Sequence, residues 1–162
     1  MGLSMHMLEL EITTKCNLNC LHCYNRENKN IDMDYADIVK YINFANENKI
    51  HTFTLSGGEA CLHPKFNEIC TYLKENKNKL NNIGKITLQT NGYIQNMNLE
   101  KLQGFDYIHL SFDVDQNGAR NISSERTIEL AKELKTLDIK PYLFTTVHKY
   151  NLNYIDEIVK IT

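Results

Sequence analysis

The 162-residue sequence has little of what marks a membrane, secreted or nucleic-acid-binding protein. It has no tryptophan, two prolines, and no apolar run near the roughly 20 residues that a membrane-spanning helix needs. Its 18 basic and 20 acidic side chains nearly balance, giving a formal net charge of -2. This balance excludes a disordered acidic tail and provides no basic field for nucleic acid. We therefore expect neither a membrane nor a nucleic acid as a partner.

The five cysteines indicate a reducing compartment, because the N-terminal residues lack the basic, apolar and small-residue order of a secretory signal. We expect a cytoplasmic protein in which thiols serve metals or catalysis rather than disulfides. The length suffices for one compact domain and not comfortably for two. No linker or low-complexity segment interrupts the chain, so residues 1–162 are predicted to form a single domain.

A strand followed by a helix is the pattern that repeats along the chain, about five times. Period-2 alternation of apolar residues predicts five strands, at residues 8–13, 51–56, 85–90, 107–112 and 141–147. Helical periodicity predicts helices at residues 35–45, 64–73, 98–102, 124–137 and 154–161. Asp34 is the expected N-cap of the first helix, and Ser123 or Ser124 that of the fourth.

Strands that alternate with helices pair in parallel through right-handed crossovers. One face of each predicted strand is apolar enough to pack against helices, whereas the other is polar in four strands. Together these features predict an α/β protein, a partial (β/α) barrel of about five units with a curved, open sheet and helices outside. A polar inner face fits a wet, ligand-holding lumen. The alternative is a one-sided sheet whose polar face lies in solvent.

Three cysteines follow the first predicted strand within eight positions: Cys16, Cys20 and Cys23, spaced as C-x3-C-x2-C. A structural zinc or a conventional iron–sulfur cluster usually takes four protein ligands. Three close thiolates with no obvious fourth therefore suggest a [4Fe–4S] cluster with one iron open to a small molecule. The alternative is a zinc site completed by His22 or Cys61.

The cysteine triad in this position resembles the signature of radical S-adenosylmethionine enzymes. The resemblance implies that Cys16, Cys20 and Cys23 hold the [4Fe–4S] cluster, whose open iron binds S-adenosylmethionine. It also implies that His22, in the family's aromatic position before the third cysteine, lies against the adenine. In this family an electron from the cluster cleaves S-adenosylmethionine to a 5′-deoxyadenosyl radical, which takes a hydrogen atom from substrate.

A second motif, Gly57-Gly58-Glu59, ends the second predicted strand and resembles the GGE of the same family. Two glycines permit a tight turn and a close approach of the backbone to a ligand. By resemblance, Glu59 and the adjoining backbone of Gly57 and Gly58 hold the methionine amino group. Gly-Gly-Glu alone indicates only a turn.

Further polar residues lie near the ends of later strands. By resemblance, Ser111 matches a position where relatives place a polar side chain near the ribose or carboxylate of the cofactor. Asp113, in register with it, is a candidate for the ribose or the substrate. Asn91 belongs to a Thr-Asn-Gly that resembles one the family often has after its third strand. A solvated strand end would also explain Ser111 and Asp113, and Asn-Gly is a common turn. The remaining candidates are Arg120 or Arg126 for the cofactor carboxylate and His109 for the substrate cavity.

Two cysteines lie outside the triad. Cys70 falls on the apolar stripe of its helix, which indicates a core residue. Cys61 follows the GGE by one residue, which motivates the hypothesis that it reaches the cavity as a hydrogen-atom or redox partner.

Relatives typically have six β/α units, whereas five are predicted here without the sixth strand or the cysteine-rich extensions of auxiliary clusters. Three explanations fit this: a truncated chain, a naturally minimal enzyme, or an open sheet edge that a homodimer or a partner chain completes. An unpaired sheet edge is usually covered, which favours the third. The resemblance implies an electron donor such as flavodoxin or ferredoxin. The loop 16–24 and Leu-His-Pro at 62–64 most resemble members that modify peptides or assemble cofactors, which favours hydrogen abstraction from a peptide or small molecule. The alternatives are an activase for a glycyl-radical enzyme and a non-catalytic cluster-binding or regulatory protein.

Overall fold

Five parallel strands form one sheet, and their spatial order is their order along the chain. The computed structural model describes residues 5–24, 30–93, 97–114, 123–149 and 151–161. The strands are β1 (Met7–Glu11), β2 (Thr52–Ser56), β3 (Lys85–Thr90), β4 (Tyr107–Ser111) and β5 (Lys140–Phe144). Every neighbouring pair is parallel. The predicted partial barrel is therefore confirmed.

Helices connect the strands, as the alternating pattern predicts. They are α1 (Tyr35–Glu47), α2 (Phe66–Glu75), α3 (Ser124–Thr136) and α4 (Ile155–Ile161). Short 3₁₀ turns lie at Ala60–Leu62, Leu99–Gly104 and Leu152–Tyr154, so the predicted short helix near 98–102 is a 3₁₀ turn. Within the described ranges, no helix is long and apolar enough to cross a membrane.

The apolar face of the sheet packs against the helices and forms the core. Phe53 and Leu55 of β2 and Leu88 of β3 are fully buried, as are Ile42 of α1 and Leu73 of α2. Burying one such side chain stabilises the fold by about 1.5–3 kcal/mol. Cys70 is 1% exposed within this core, which confirms its predicted place.

The polar face of the sheet differs from the expected wet lumen at its centre. Thr54 and Thr87 face each other across β2 and β3, are buried, and share a hydrogen bond of 2.8 Å. Ser56 is also buried, whereas Glu9 on β1 and Phe144 on β5 are exposed. Short side chains in the trough of a curved sheet lie below the longer ones beside them. The inner face is therefore buried at its centre and exposed at its sides.

Several predicted ends shift in the structure. β1 ends at Glu11 rather than residue 13, because Thr13 bridges Asp32 instead of the neighbouring strand. β5 ends at Phe144 rather than residue 147, and the Thr145 hydroxyl donates a hydrogen bond of 2.7 Å to the Phe112 carbonyl. The Ser123 cap is confirmed, because its hydroxyl accepts the backbone N–H of Arg126 at 3.4 Å. Asp34 occupies the N-cap of α1 without a side-chain capping bond.

Candidate functional site

The loop that carries the cysteine triad is closed at its base by the segment 31–33. The backbone N–H of Thr14 donates to the Ile31 carbonyl at 2.9 Å. The Thr13 hydroxyl donates to Asp32 at 2.7 Å, and the Lys15 ammonium pairs with the same carboxylate at 2.5 Å. These donors hold the pKa of Asp32 below its ordinary value. The backbone that leads from β1 to Cys16 is therefore held in place by these contacts.

All three cysteines line one cleft of about 140 Å³ at the carboxyl ends of the strands. Cys16 and Cys23 are partly exposed and Cys20 is buried. The other predicted site residues that line the cleft are His22, Gly57, Gly58, Asn91 and Ser111. Of the described cysteines, only the triad lines it. The structure therefore brings together residues from the loops that follow β1, β2 and β3 and from the end of β4.

The glycine pair lies directly against the backbone of the cysteine loop. The N–H of Gly58 donates to the Thr13 carbonyl at 2.8 Å, and that of Glu59 to the Lys15 carbonyl at 2.7 Å. A Cβ on Gly58 would lie 2.4 Å from the Lys15 carbonyl oxygen, and one on Gly57 2.4 Å from that of Thr13. Only glycine fits this approach, which holds the two motifs in register.

The Glu59 carboxylate lies behind the cleft rather than on its lining. It is 1% exposed and accepts three hydrogen bonds, from the Cys61 N–H at 3.1 Å, the Thr90 hydroxyl at 2.8 Å and the Asn91 N–H at 2.7 Å. Burial raises the pKa of Glu59, and the three donors oppose that shift. Its side chain thus joins the loop after β2 to the turn after β3. Its role toward the methionine amino group stays a prediction.

Asn91 connects the turn after β3 to the cysteine loop. Its Nδ2 donates to Asn17 Oδ1 at 2.8 Å, and its Oδ1 accepts the Tyr93 N–H at 2.7 Å. Asn17 in turn donates to the Tyr93 carbonyl at 2.5 Å. The predicted residue Asn91 is therefore part of the site, and sequence reasoning missed its partner Asn17. Its position next to Cys16 was the available signal.

His22 stacks on His148, which follows β5. Their ring centroids lie 4.7 Å apart with an angle of 18° between the planes. The Asp113 carboxylate, with a side chain 1% exposed, lies 3.8 Å from His22 Nε2. One donor atom from each of these three side chains lies within 4.8 Å of the others. Imidazole lone pairs lie in the ring plane, so nearly parallel stacked rings do not aim them at one ion. The geometry of His22, His148 and Asp113 therefore fits a pair of stacked rings better than a set of metal ligands.

Cys61 does not lie where its predicted role requires. The Cys61 thiol donates to the Thr90 hydroxyl at 3.7 Å, and Cys61 packs against the core and is not part of the cleft lining. Burial, with the neighbouring Glu59 carboxylate, raises the pKa of this thiol well above its ordinary value. This position does not favour Cys61 as a fourth metal ligand or a redox partner in the cleft.

The candidates Arg126 and His109 are not among the residues that line the cleft. Arg126 pairs with Glu129 at 3.5 Å and Glu133 at 3.4 Å along the exposed side of α3. Arg120 lies outside the described residues. His109 lies on the inner face of the sheet with its ring stacked on Phe144 at 6.0 Å. Burial lowers the pKa of His109 because it disfavours the charged imidazolium.

Other cleft residues were not identified from the sequence. They are Leu18, Tyr24, Gln89, Thr90, Phe144 and Thr146. Gln89, Phe144 and Thr146 come from the carboxyl ends of β3 and β5 and beyond, the edge where ligands bind in parallel sheets. The signal that could have identified them was therefore their position at a strand end.

The donor set fits an iron–sulfur cluster with one open coordination position. Three thiols face one cleft, and polar backbone and side-chain groups of Gly57, Gly58 and Ser111 line the same space. The chain thus has the features of an α/β protein that can bind a cluster: a five-stranded parallel half-barrel and a cysteine-lined cleft at the carboxyl edge of its sheet. The sequence profile of the Radical SAM superfamily matches residues 10–161. The chain belongs to the Radical SAM superfamily.

Known relatives agree with this membership. A probable GTP 3′,8-cyclase of Methanococcus maripaludis is 31% identical over 139 residues, which cover 82% of this chain and 45% of that protein. The chain thus spans less than half the length of this relative. In structure it is similar to SuiB of Streptococcus suis bound to S-adenosylmethionine, with a TM-score of 0.79 and 20% identity, covering 98% of this chain and 38% of SuiB.

Two further solved structures contain peptides. SuiB bound to its precursor peptide SuiA has a TM-score of 0.80 at 20% identity, covering 98% of this chain and 36% of SuiB. The enzyme anSMEcpe, with bound AdoMet and a Cp18Cys peptide, has a TM-score of 0.70 at 22% identity, covering 98% of this chain and 47% of that protein. At these identities the likeness concerns the fold.

Proposed function

We propose that this chain provides the catalytic core of a radical S-adenosylmethionine enzyme. Cys16, Cys20 and Cys23 would hold a [4Fe–4S] cluster, which together with S-adenosylmethionine would supply a 5′-deoxyadenosyl radical for hydrogen abstraction from a peptide or small-molecule substrate. The electron comes from a donor such as flavodoxin or ferredoxin.

The observation that carries this proposal is the convergence of the three thiols and the GGE backbone on one cleft. The backbone of Gly57 and Gly58 lines the side of the cleft where the methionine part is expected. His22 lines the cleft next to the cysteines, where the adenine is expected, and Ser111 offers a hydroxyl to the ribose or carboxylate. Each residue here binds or orients, and the cofactor supplies the chemistry.

The test is anaerobic reconstitution with iron and sulfide, followed by reduction, addition of S-adenosylmethionine and assay of 5′-deoxyadenosine. We expect iron in the wild-type chain and its loss in the Cys16→Ala, Cys20→Ala, Cys23→Ala triple variant. Cys70→Ala is the matched control, because Cys70 lies in the core away from the cleft. A chain that takes up no iron refutes the proposal and favours the zinc site. Iron uptake without cleavage favours the non-catalytic cluster-binding protein.

GTP is a second candidate substrate, because the Methanococcus maripaludis relative is named a probable GTP 3′,8-cyclase. The inner face of the sheet does not favour binding of a triphosphate, because Glu9 and Glu11 of β1 lie on that face and their carboxylates would repel it. Incubating the reconstituted protein with GTP, and separately with candidate precursor peptides encoded nearby, discriminates the two. Consumption of GTP supports the cyclase, and a peptide mass shift supports peptide modification. A neighbouring glycyl-radical enzyme that gains its radical would support the activase alternative.

A further inference from the structure

His148 lies in the loop after β5 and supports one face of the His22 ring. The two rings are nearly parallel, at 18°, with centroids 4.7 Å apart. His22 lines the cleft, whereas His148 is not among the lining residues. Of the two stacked residues, only His22 therefore belongs to the cleft lining, and the stack connects the cysteine loop to the segment after β5.

A buried asparagine fixes the position of His148. Asn151 is fully buried, and its Oδ1 accepts the backbone N–H of His148 at 2.9 Å. Its Nδ2 donates to the Thr146 carbonyl at 2.9 Å. The His148 carbonyl also accepts the N–H of Leu152 at 3.1 Å. Because the backbone of His148 is held on both sides, its ring has a defined place against His22.

The same asparagine also contacts Asp113, which lies near the edge of the His22 ring. Asp113 lies 3.8 Å from His22 Nε2, and its other carboxylate oxygen accepts Asn151 Nδ2 at 3.4 Å. Asn151 thus connects the two residues that flank His22, with His148 against the ring face and Asp113 near Nε2. Because His22 lines the cleft, a planar group bound there can contact it.

We propose that His148 is a positioning residue that fixes the His22 ring as a stacking surface for the nucleobase of the cofactor. This inference rests on the proposed function for the identity of that base. Offset stacking between flat rings is favourable, and a ring already held in place loses less conformational entropy when a ligand stacks on it. His148 thus contributes to the binding of the adenosine part and not of the methionine part.

The first test compares two probes, S-adenosylmethionine and L-methionine, on the cluster-reconstituted full chain. We expect His148→Ala to weaken binding of S-adenosylmethionine by about two- to tenfold. Binding of L-methionine, which has no base, should not change. His148→Phe keeps a flat ring and should restore the affinity. His51→Ala is the matched control, because His51 is exposed before β2 and its side chain contacts Thr52.

The second test needs no cofactor. In cluster-free protein, NMR of the His22 ring protons reports the ring current of the neighbouring imidazole. We expect His148→Ala to shift these resonances, whereas His148→Phe retains a ring-current shift and His51→Ala has no effect. Unchanged His22 resonances in His148→Ala would overturn the inference, because the stack would then be absent in solution.

The two proposals fail in different ways. A wild-type chain that binds iron but not S-adenosylmethionine refutes the proposed function, and the NMR test then still decides whether His148 fixes His22. A wild-type chain that binds the cofactor, with His148→Ala equal to it in affinity, refutes the role of His148 alone. Equal weakening of both probes would also refute it, because it would indicate a general loss of structure.

Discussion

The side-chain amide of Asn91 donates a 2.8 Å hydrogen bond to the amide oxygen of Asn17, the residue next to Cys16. The backbone N–H of the same Asn91 donates to the Glu59 carboxylate at 2.7 Å. Asn91 therefore connects the GGE loop, the turn after β3 and the cysteine loop. A cluster bound to the triad would be held by three segments that lie far apart in the sequence.

Removing the Asn91 amide should loosen the cysteine loop. We expect Asn91→Ala to lower the free energy of unfolding by about 1–3 kcal/mol, because it removes two part-buried hydrogen bonds, to Asn17 and Tyr93, each worth about 0.5–1.5 kcal/mol. Reconstituted protein should also lose iron faster to a chelator. Asn67→Ala on the exposed side of α2 is the control. In a double-mutant cycle, Asn17→Ala and Asn91→Ala should be less than additive, and full additivity would contradict the contact.

Adding a methyl group to Gly58 should separate the two motifs. The Cβ of Gly58→Ala would lie 2.4 Å from the Lys15 carbonyl oxygen, so the backbone must move, at a cost of about 1–3 kcal/mol. We expect lower thermal stability together with reduced iron uptake. Gly104→Ala is a matched control, because its Cβ would crowd Leu73 at 2.9 Å, away from the cleft. Iron uptake by Gly58→Ala equal to that of Gly104→Ala would refute this prediction.

The charge of the Glu9 carboxylate should affect the pKa of His109. Burial lowers the pKa of His109 from 6.5, and the Glu9 carboxylate opposes that shift. NMR titration should therefore give a still lower pKa for His109 in Glu9→Gln. Glu47→Gln, on α1, should leave it unchanged. An unchanged His109 pKa in Glu9→Gln would mean that the two residues do not interact across the inner face.

The same shift predicts how stability depends on pH. Because the folded-state pKa of His109 is lowered, its contribution is present above the unfolded value of 6.5 and is lost as pH falls through the folded value. Between about pH 8 and pH 5, the free energy of unfolding of the wild type should fall relative to His109→Gln. Urea unfolding at several pH values measures this difference. A constant difference would contradict the prediction.

The thiols should differ in their rates of alkylation. In cluster-free, reduced protein we expect iodoacetamide to modify Cys16 and Cys23 before Cys70, whose burial raises its pKa to about 12. Cys61 should also react slowly, because burial and Glu59 raise its pKa. Peptide mass mapping over time measures the rates, and urea-unfolded protein is the control. Rapid modification of Cys61 would instead support its hypothesised access to the cavity.

The sequence by itself determined the fold class and the principal motifs, because those signals are local. Period-2 alternation identified all five strands, with β3 at the predicted bounds, and the C-x3-C-x2-C spacing identified the triad as one site. The glycine pair was also found, although the reason for it is tertiary: the carbonyl groups of Thr13 and Lys15 leave no room for a Cβ.

Only the tertiary structure decided which side chains touch. Asn91 contacts Asn17, and His22 contacts His148. In each pair the two residues follow different strands, so no local sequence pattern encodes the contact. The tertiary structure also directs the Glu59 carboxylate toward Thr90 and Asn91, and buries Thr54 and Thr87 against each other. Sheet curvature and the packing of loops at the carboxyl edge set these contacts, because they depend on residues distant in sequence and adjacent in space.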